Sequence, residues 1–169
     1  MAKKIIIVGG VAGGATAAAR LRRLDEMAEI IIIERGNYVS YANCGLPYYI
    51  GGVIESRDPL LLQTPKSLKD RYNIDVRIKQ EALKIDTAAK TLRVKDINNG
   101  VEYTEAYDTL VLACGSEPVK PPIPGINEAI NEFKCNCPFK GPARKFEIYI
   151  ASISFIETGL SFMVFSITS

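Results

Sequence analysis

Two runs of β-branched residues flank a glycine cluster within the first 34 positions, and this arrangement narrows the possible folds more than any other feature of the chain. Lys4 to Val8 (Lys-Ile-Ile-Ile-Val) is short, apolar and followed by glycine, which predicts a strand buried on both faces of a parallel sheet. Ala12 to about Met27 is rich in good helix formers and carries Leu21 and Leu24 at helical spacing, so a helix is expected there. Glu29 to Glu34 (Glu-Ile-Ile-Ile-Ile-Glu) repeats the buried-strand signature. A strand, a crossover helix and a second strand of this length make a βαβ unit with parallel strands, and a doubly wound sheet is the expectation.

The turn between the first strand and the helix reads Gly9-Gly10-Val11-Ala12-Gly13-Gly14. Dinucleotide folds place glycines there so that backbone can approach a pyrophosphate at a helix N-terminus. Gly9 would serve the tight turn and Gly14 the close packing of helix on strand. Val11 stands where the second glycine of the usual pattern would be. Glu34 follows Gly14 by twenty residues at the end of the second strand, where an acid can accept both hydroxyls of an adenosine ribose. The same residues could merely pack a helix on a strand and end that strand in solvent, but their order favours the dinucleotide. The loop alone leaves NAD and FAD both open.

Beyond Glu34 the sequence is broken by Gly36, Asn37, Gly45, Pro47, Gly51, Gly52 and Pro59, which predicts turns and short helical pieces around Cys44. Pro65 to Asn73 is expected to be a helix opened by Thr64 as N-cap. Four strand-like runs follow, Asp75 to Ile78, Ala82 to Asp86, Thr91 to Ile97 and Val101 to Tyr107, the last two flanking the hairpin signal Asn98-Asn99-Gly100. They read as a β-meander inserted into the parallel sheet. Thr109 to Ala113 is a further buried strand, and the proline-rich Pro118 to Pro124 leads out of the domain.

Composition excludes several kinds of function. The 169 residues are enough for one core. Basic and acidic residues nearly balance at a net charge of +2 with no basic stripe, which argues against a nucleic-acid partner. Histidine is absent, so the chain offers no imidazole base and few of the usual metal ligands. No metal site is expected, and Cys135 and Cys137 read as an accidental pair. The apolar run at the start is too short for a signal peptide, and Glu157 with several serines dilutes the run from Ile148 to Thr168, so a membrane span is not expected. The expected location is the cytoplasm, where the four cysteines would stay reduced.

Ser40-Tyr41-Ala42-Asn43-Cys44-Gly45-Leu46-Pro47-Tyr48-Tyr49-Ile50-Gly51-Gly52 sets one cysteine in a turn-rich loop. An isolated cysteine by itself reads as buried and inert, and reactivity requires a helix N-terminus or a positive neighbour to favour the thiolate. Its neighbours change that reading. The glycine loop with Ala-Thr-Ala-Ala-Ala-Arg-Leu-Arg-Arg-Leu after it, Glu34-Arg35, the Ser40 to Gly52 motif, and Tyr-Asp-Thr-Leu-Val-Leu-Ala-Cys-Gly-Ser-Glu-Pro from Tyr107 occur together and in order. Over about residues 3 to 131 the chain resembles the FAD domain of coenzyme A-disulfide reductases, single-cysteine members of the pyridine nucleotide-disulfide oxidoreductase family.

The resemblance implies an α/β, Rossmann-like FAD/NAD(P)-binding fold and a redox cycle in which NAD(P)H reduces FAD and Cys44 forms a mixed disulfide with coenzyme A. It implies that Gly9, Val11, Ala12, Gly13, Gly14, Glu34, Arg35, Asn43, Ala82, Ala113 and Gly115 line the cofactor. It implies that Ser40 and Asn43 lie around the thiol and coenzyme A, while Arg20, Arg23 and Arg71 read either as phosphate partners or as solvated helix charges. Cys114 replaces the threonine or proline common in relatives and is expected to serve packing.

The domain expected from the resemblance covers 1–126 and is incomplete, with 127–169 an atypical tail whose change of composition is what a frameshift or truncated reading frame produces. The family's NAD domain and dimerisation domain have no counterpart in the sequence, so the homodimer of the family is not expected from it, nor turnover by the chain alone. The alternatives are an NADH oxidase or peroxidase cycling Cys44 through a sulfenic acid, and a non-catalytic fragment that binds no flavin.

Overall fold

The computed structural model describes residues 2–115 and Phe165–Ile167. The first strand, β1, is Lys4–Val8, and the helix that follows, α1, is Ala12–Leu24. β2 is Glu29–Glu34, α2 is Leu46–Ile50, α3 is Pro65–Tyr72 and β3 is Asp75–Ile78. Then come β4 (Gln80–Asp86), β5 (Thr91–Asp96), β6 (Glu102–Ala106), β7 (Thr109–Leu112) and β8 (Phe165–Ile167). One sheet has the order β3-β2-β1-β7-β8 and a second the order β4-β5-β6. In the first, β3, β2, β1 and β7 are parallel, and β8 joins β7 antiparallel.

Alternation along the parallel strands sends side chains to two separate cores. Ile5 and Ile7 of β1, Ile30 and Ile32 of β2 and Val111 of β7 pack with Ala18 of α1, Leu68 of α3 and Ile74. Their neighbours Ile6, Ile31, Ile33 and Leu110 face the other way and pack with Leu92 and Val94 of β5 and with Tyr107. Burial on both faces is why β1 and β2 are uninterrupted isoleucine runs instead of alternating patterns.

Two expectations change here. Asp75–Ile78 belongs to the parallel sheet, where it pairs with Ile31 to Glu34, and is not part of the meander. The meander of β4, β5 and β6 is inserted in sequence between β3 and β7 but forms its own antiparallel layer, so the second face of the parallel sheet is covered by strands where a doubly wound sheet would carry helices. The alternation of Leu92 and Val94 gives β5 only one apolar face, enough to cover a sheet but not to lie within one.

Helix α1 stops at Leu24, short of Met27, because Asp25 turns its carboxylate onto the Met27 and Ala28 amides. An Asp that bonds its own downstream backbone competes with helix continuation. Leu24 consequently lies exposed, whereas Leu21 packs on the core. Arg22 closes this corner: its guanidinium donates to the carbonyls of Asp25, Glu26, Tyr72 and Asn73, joining the C-terminal ends of α1 and α3 where helix dipoles favour a cation. Helix α3 opens as expected on Thr64, whose hydroxyl accepts from the Ser67 amide while Ser67 Oγ accepts from the Thr64 amide.

A polar cluster ties β6 to the parallel sheet. Glu105 accepts from Lys4 Nζ at 2.7 Å and from Arg77 at 2.5 Å, and Arg77 also bonds Asp75 and the Tyr103 hydroxyl. Partial burial works against the charge of Glu105, but the bonds from Arg77 and Lys4 outweigh it and hold its carboxyl below the usual range. Among the described residues no helix is long and apolar enough to cross a membrane.

Because the folded-state pKa of Glu105 is depressed, its contribution to stability is complete above the ordinary value of 4.5 and is lost as pH falls through the folded value. Glu105→Gln should therefore lower the urea midpoint at pH 7, and the gap from the wild type should close as the pH approaches 3. Urea titrations followed by circular dichroism at the two pH values check this.

Candidate functional site

The glycine turn is built by contacts between backbones. Gly9 has φ +96°, and a Cβ on it would run into the carbonyl of Ala113, which crosses the end of β1 just beyond β7. A Cβ on Gly14 would strike the carbonyl oxygen of Gly9 and lie 3.2 Å from the Ile7 side chain. These two contacts bring the first turn of α1 against the end of β1, in the roles that the sequence suggests for the two glycines. Val11 is the N-cap but supplies no side-chain bond, and the first turn holds no acidic residue. Helix amides at this end are thus left for an anionic partner, and Ala12 and Gly13 form the first turn itself.

Glu34 is drawn into the same turn. Its Oε2 accepts from the Gly10 amide and its Oε1 from the Gly36 amide, both at 2.6 Å. The expectation is that this acid accepts both ribose hydroxyls; each oxygen already has one backbone partner and keeps a second lone pair for a hydroxyl. Gly10 and Gly36 are the residues the sequence reading left out of the site. A glycine two positions after the acid was the available signal, since it allows the backbone to fold back on the carboxylate. Tyr41 is a further addition: burial, reinforced by the charge of Glu34, raises its phenol above the ordinary value and keeps it neutral.

The remaining predicted residues of this unit are dispersed. Arg35 is exposed and meets Glu81 at 3.8 Å, a solvated pair of small energetic weight. Ala82 packs on the core beneath β4, next to a register shift between Ala82 and Lys84. Ala113 donates its amide to Val8 as its carbonyl covers Gly9. Gly115 has φ +69°, and among the described residues nothing lies within 4 Å of a Cβ placed there, so the requirement they show is conformational. Arg20, Arg23 and Arg71 are exposed and form no ion pair among the described residues. Cys114 corrects the packing role expected of it: β7 has ended at Leu112, the chain is turning toward Gly115, and the thiol is exposed.

Ser40 has φ +50°, donates its amide to the Gly10 carbonyl at 2.8 Å and accepts from the Leu62 amide, next to a bridge between Tyr41 and Leu61. The segment Asn43 to Leu60, which leaves and returns through this bridge, belongs to a second compact unit. Within it, Asn43–Gly45 is a turn of 3-10 helix leading into α2, and Asn43 and Cys44 are both exposed. Cys44 is a free thiol. Tyr48 accepts from the amides of Val53 and Ile54 to close the segment after α2. Cys135 and Cys137 lie outside the described residues. Among the described residues no three metal-ligating side chains gather.

A strand, glycine turn and helix closed by an acid at the end of the second strand, with an exposed thiol shortly after, define a nucleotide-binding redox class of fold. Residues 3–138 match the family described as pyridine nucleotide-disulphide oxidoreductase, and the chain belongs to that family. It is 46% identical over 113 residues to a coenzyme A disulfide reductase of Staphylococcus epidermidis and 42% identical over the same length to one of Staphylococcus aureus. These alignments cover 67% of this chain and 26% of each relative, so the chain spans about a quarter of the length of the curated relatives it matches. Among solved structures, reduced Bacillus anthracis CoADR-RHD superposes with a TM-score of 0.72 at 44% identity, covering 94% of this chain and 27% of that one. A water-forming NADH oxidase from Lactobacillus brevis superposes with a TM-score of 0.69 at 27% identity, covering 94% and 33%.

Gly14→Ala should cost about 3 kcal/mol or more, the upper end of overpacking penalties, because backbone and not a flexible side chain stands in the way. Gly100→Ala, at φ +74° with no atom of the described residues within 4 Å of the added Cβ, should cost only the left-handed penalty of about 1–2 kcal/mol. Thermal unfolding of the two variants side by side separates the steric requirement from the conformational one.

Proposed function

We propose that this chain is the FAD-binding portion of an NAD(P)H-linked disulfide oxidoreductase whose substrate is coenzyme A disulfide or a closely related small disulfide, with Cys44 as the redox-active thiol. The observation that carries the reading is the exposed free thiol of Cys44, set in a motif of a chain 46% identical to a coenzyme A disulfide reductase.

The residues present fit a dinucleotide. Gly9 and Gly14 remove the side chains that would block the turn, and the first helical turn at Ala12 and Gly13 carries no acid to repel a pyrophosphate. Glu34 retains acceptor capacity for a ribose after binding Gly10 and Gly36. Val11, Arg35, Asn43, Ala82, Ala113 and Gly115 are assigned to the remainder of the cofactor. Bound FAD supplies a two-electron relay from NAD(P)H to the thiol site.

Cys44 thiolate attacks one sulfur of the substrate disulfide. A Cys44–coenzyme A disulfide forms and the second coenzyme A leaves as its thiolate. Return of the mixed disulfide to Cys44 thiolate and a coenzyme A thiol consumes two electrons and one proton. Ser40 and Asn43 are assigned to the surroundings of the thiol, and Arg20, Arg23 and Arg71 to the phosphates of coenzyme A.

The likeness to an NADH oxidase and the exposure of Cys44 favour a second reading, in which peroxide oxidises the thiolate to a sulfenic acid with release of hydroxide. Two measurements decide. After reconstitution with FAD and gel filtration, flavin absorbance should travel with the protein; its absence overturns the flavin assignment. Intact-mass spectra after treatment with coenzyme A disulfide should show one coenzyme A adduct that Cys44→Ser abolishes and Cys114→Ser retains. A sulfenic acid at Cys44 with no adduct gives the second reading instead.

A further inference from the structure

Gly10 is held by both of its peptide groups. Its amide donates to Glu34 Oε2 at 2.6 Å, and its carbonyl accepts from the Ser40 amide at 2.8 Å. Ser40 in turn accepts from the Leu62 amide at 3.1 Å, beside the antiparallel bridge of Tyr41 with Leu61. One continuous path of backbone-anchored bonds thus runs from the carboxylate of Glu34, through Gly10 and Ser40, to the far end of the excursion that carries Cys44. None of these bonds uses the Ser40 hydroxyl.

The conformation of Ser40 makes the path possible. At φ +50° its backbone lies in the left-handed region, which a non-glycine residue occupies only when its surroundings require it. An extended Ser40 would turn its amide and carbonyl to the same edge of the chain, whereas the left-handed turn sends them in opposite directions, the amide to Gly10 and the carbonyl to Leu62. The backbone turn at Ser40 therefore satisfies two constraints at once, the seat on Gly10 and the closure to Leu62.

We propose that Ser40 is a positioning residue that acts through its backbone: its left-handed turn clasps both ends of the Cys44-bearing segment and fixes their base on the Gly10 peptide that Glu34 also holds. This rests on Cys44 being the functional thiol and adds a backbone role to the place near the thiol and coenzyme A that the family resemblance implies for Ser40. The clasp makes residue 40 selective for backbone type. Glycine should be accepted freely, alanine as well as serine, and a β-branched residue poorly.

Hydrogen exchange of the Leu62 and Ser40 amides, with the alkylation rate of Cys44 by a neutral iodoacetamide, tests this without flavin or turnover. Ser40→Gly and Ser40→Ala should keep both amides protected and the alkylation rate within about twofold of the wild type. Ser40→Val should accelerate exchange at Leu62 by about tenfold or more and change the alkylation rate with it. Loss of protection in Ser40→Ala equal to that in Ser40→Val would assign the role to the hydroxyl and overturn the proposal, as would unchanged exchange in Ser40→Val. If Ser40→Val does not fold, Leu62→Pro, which removes the donor to the Ser40 carbonyl while restraining Leu61 to the extended backbone of its bridge, should still expose the Ser40 amide; continued protection there overturns the clasp. Failure of the flavin or coenzyme A measurements leaves these exchange rates untouched, so the two readings fail separately.

Discussion

The Ala113 carbonyl can cross Gly9 only because Gly9 has no side chain, and this contact between backbones governs the arrangement around it. It lets β7 run beside β1 to its end, with the Ala113 amide bonded to Val8. It leaves the Gly9 carbonyl pointing at Gly14, which sets how closely α1 approaches the strand. A Cβ at either position would push helix and sheet apart by more than a packed core tolerates. The amides at the helix N-terminus, the loop holding Glu34 and the seat for Ser40 all inherit their positions from that approach.

The two faces of the parallel sheet use the same isoleucine runs for different partners. Odd positions of β1 meet helices and even positions meet the antiparallel layer, so both apolar faces are covered, while the polar backbone of β1 is paired within the sheet by β2 and β7. The clamp of Lys4, Arg77 and Glu105 joins the layers where side chains of opposite charge from three strands converge. Such a clamp contributes orientation as well as energy, because the forked guanidinium of Arg77 engages Asp75, Tyr103 and Glu105 together. Arg22 works similarly for the helices: one cation collects carbonyls that the ends of α1 and α3 leave without helical donors.

Much of this was legible in the residues. The limits of β1, β2 and β3 and the Thr64 cap follow from local pattern, since a buried strand and a capped helix start depend on residues only a few positions apart. The end of α1 was less so, because helix propensity favours continuing through Glu26 and Met27 while the local bonds of Asp25 oppose it. Cys114 was read as packing because it stands where relatives carry threonine or proline. Its exposure depends on where β7 stops, which adjacent strands decide.

The sequence by itself determined the βαβ unit, the glycine turn and the acid that follows it, because each arises from short-range sterics and periodicity. Tertiary structure decided which sheet Asp75–Ile78 enters, how the meander covers the second face, and which groups occupy Glu34. The physical reason is common to all three. Strand partners and the Gly10 amide on Glu34 Oε2 lie distant in sequence and no local propensity encodes them; of the groups on this carboxylate only the Gly36 amide on Oε1, two residues away, is local. Ser40 shows the same division: its loop is predictable from the neighbouring glycines and prolines, but its left-handed turn exists because Gly10 on one side and Leu62 on the other both require it.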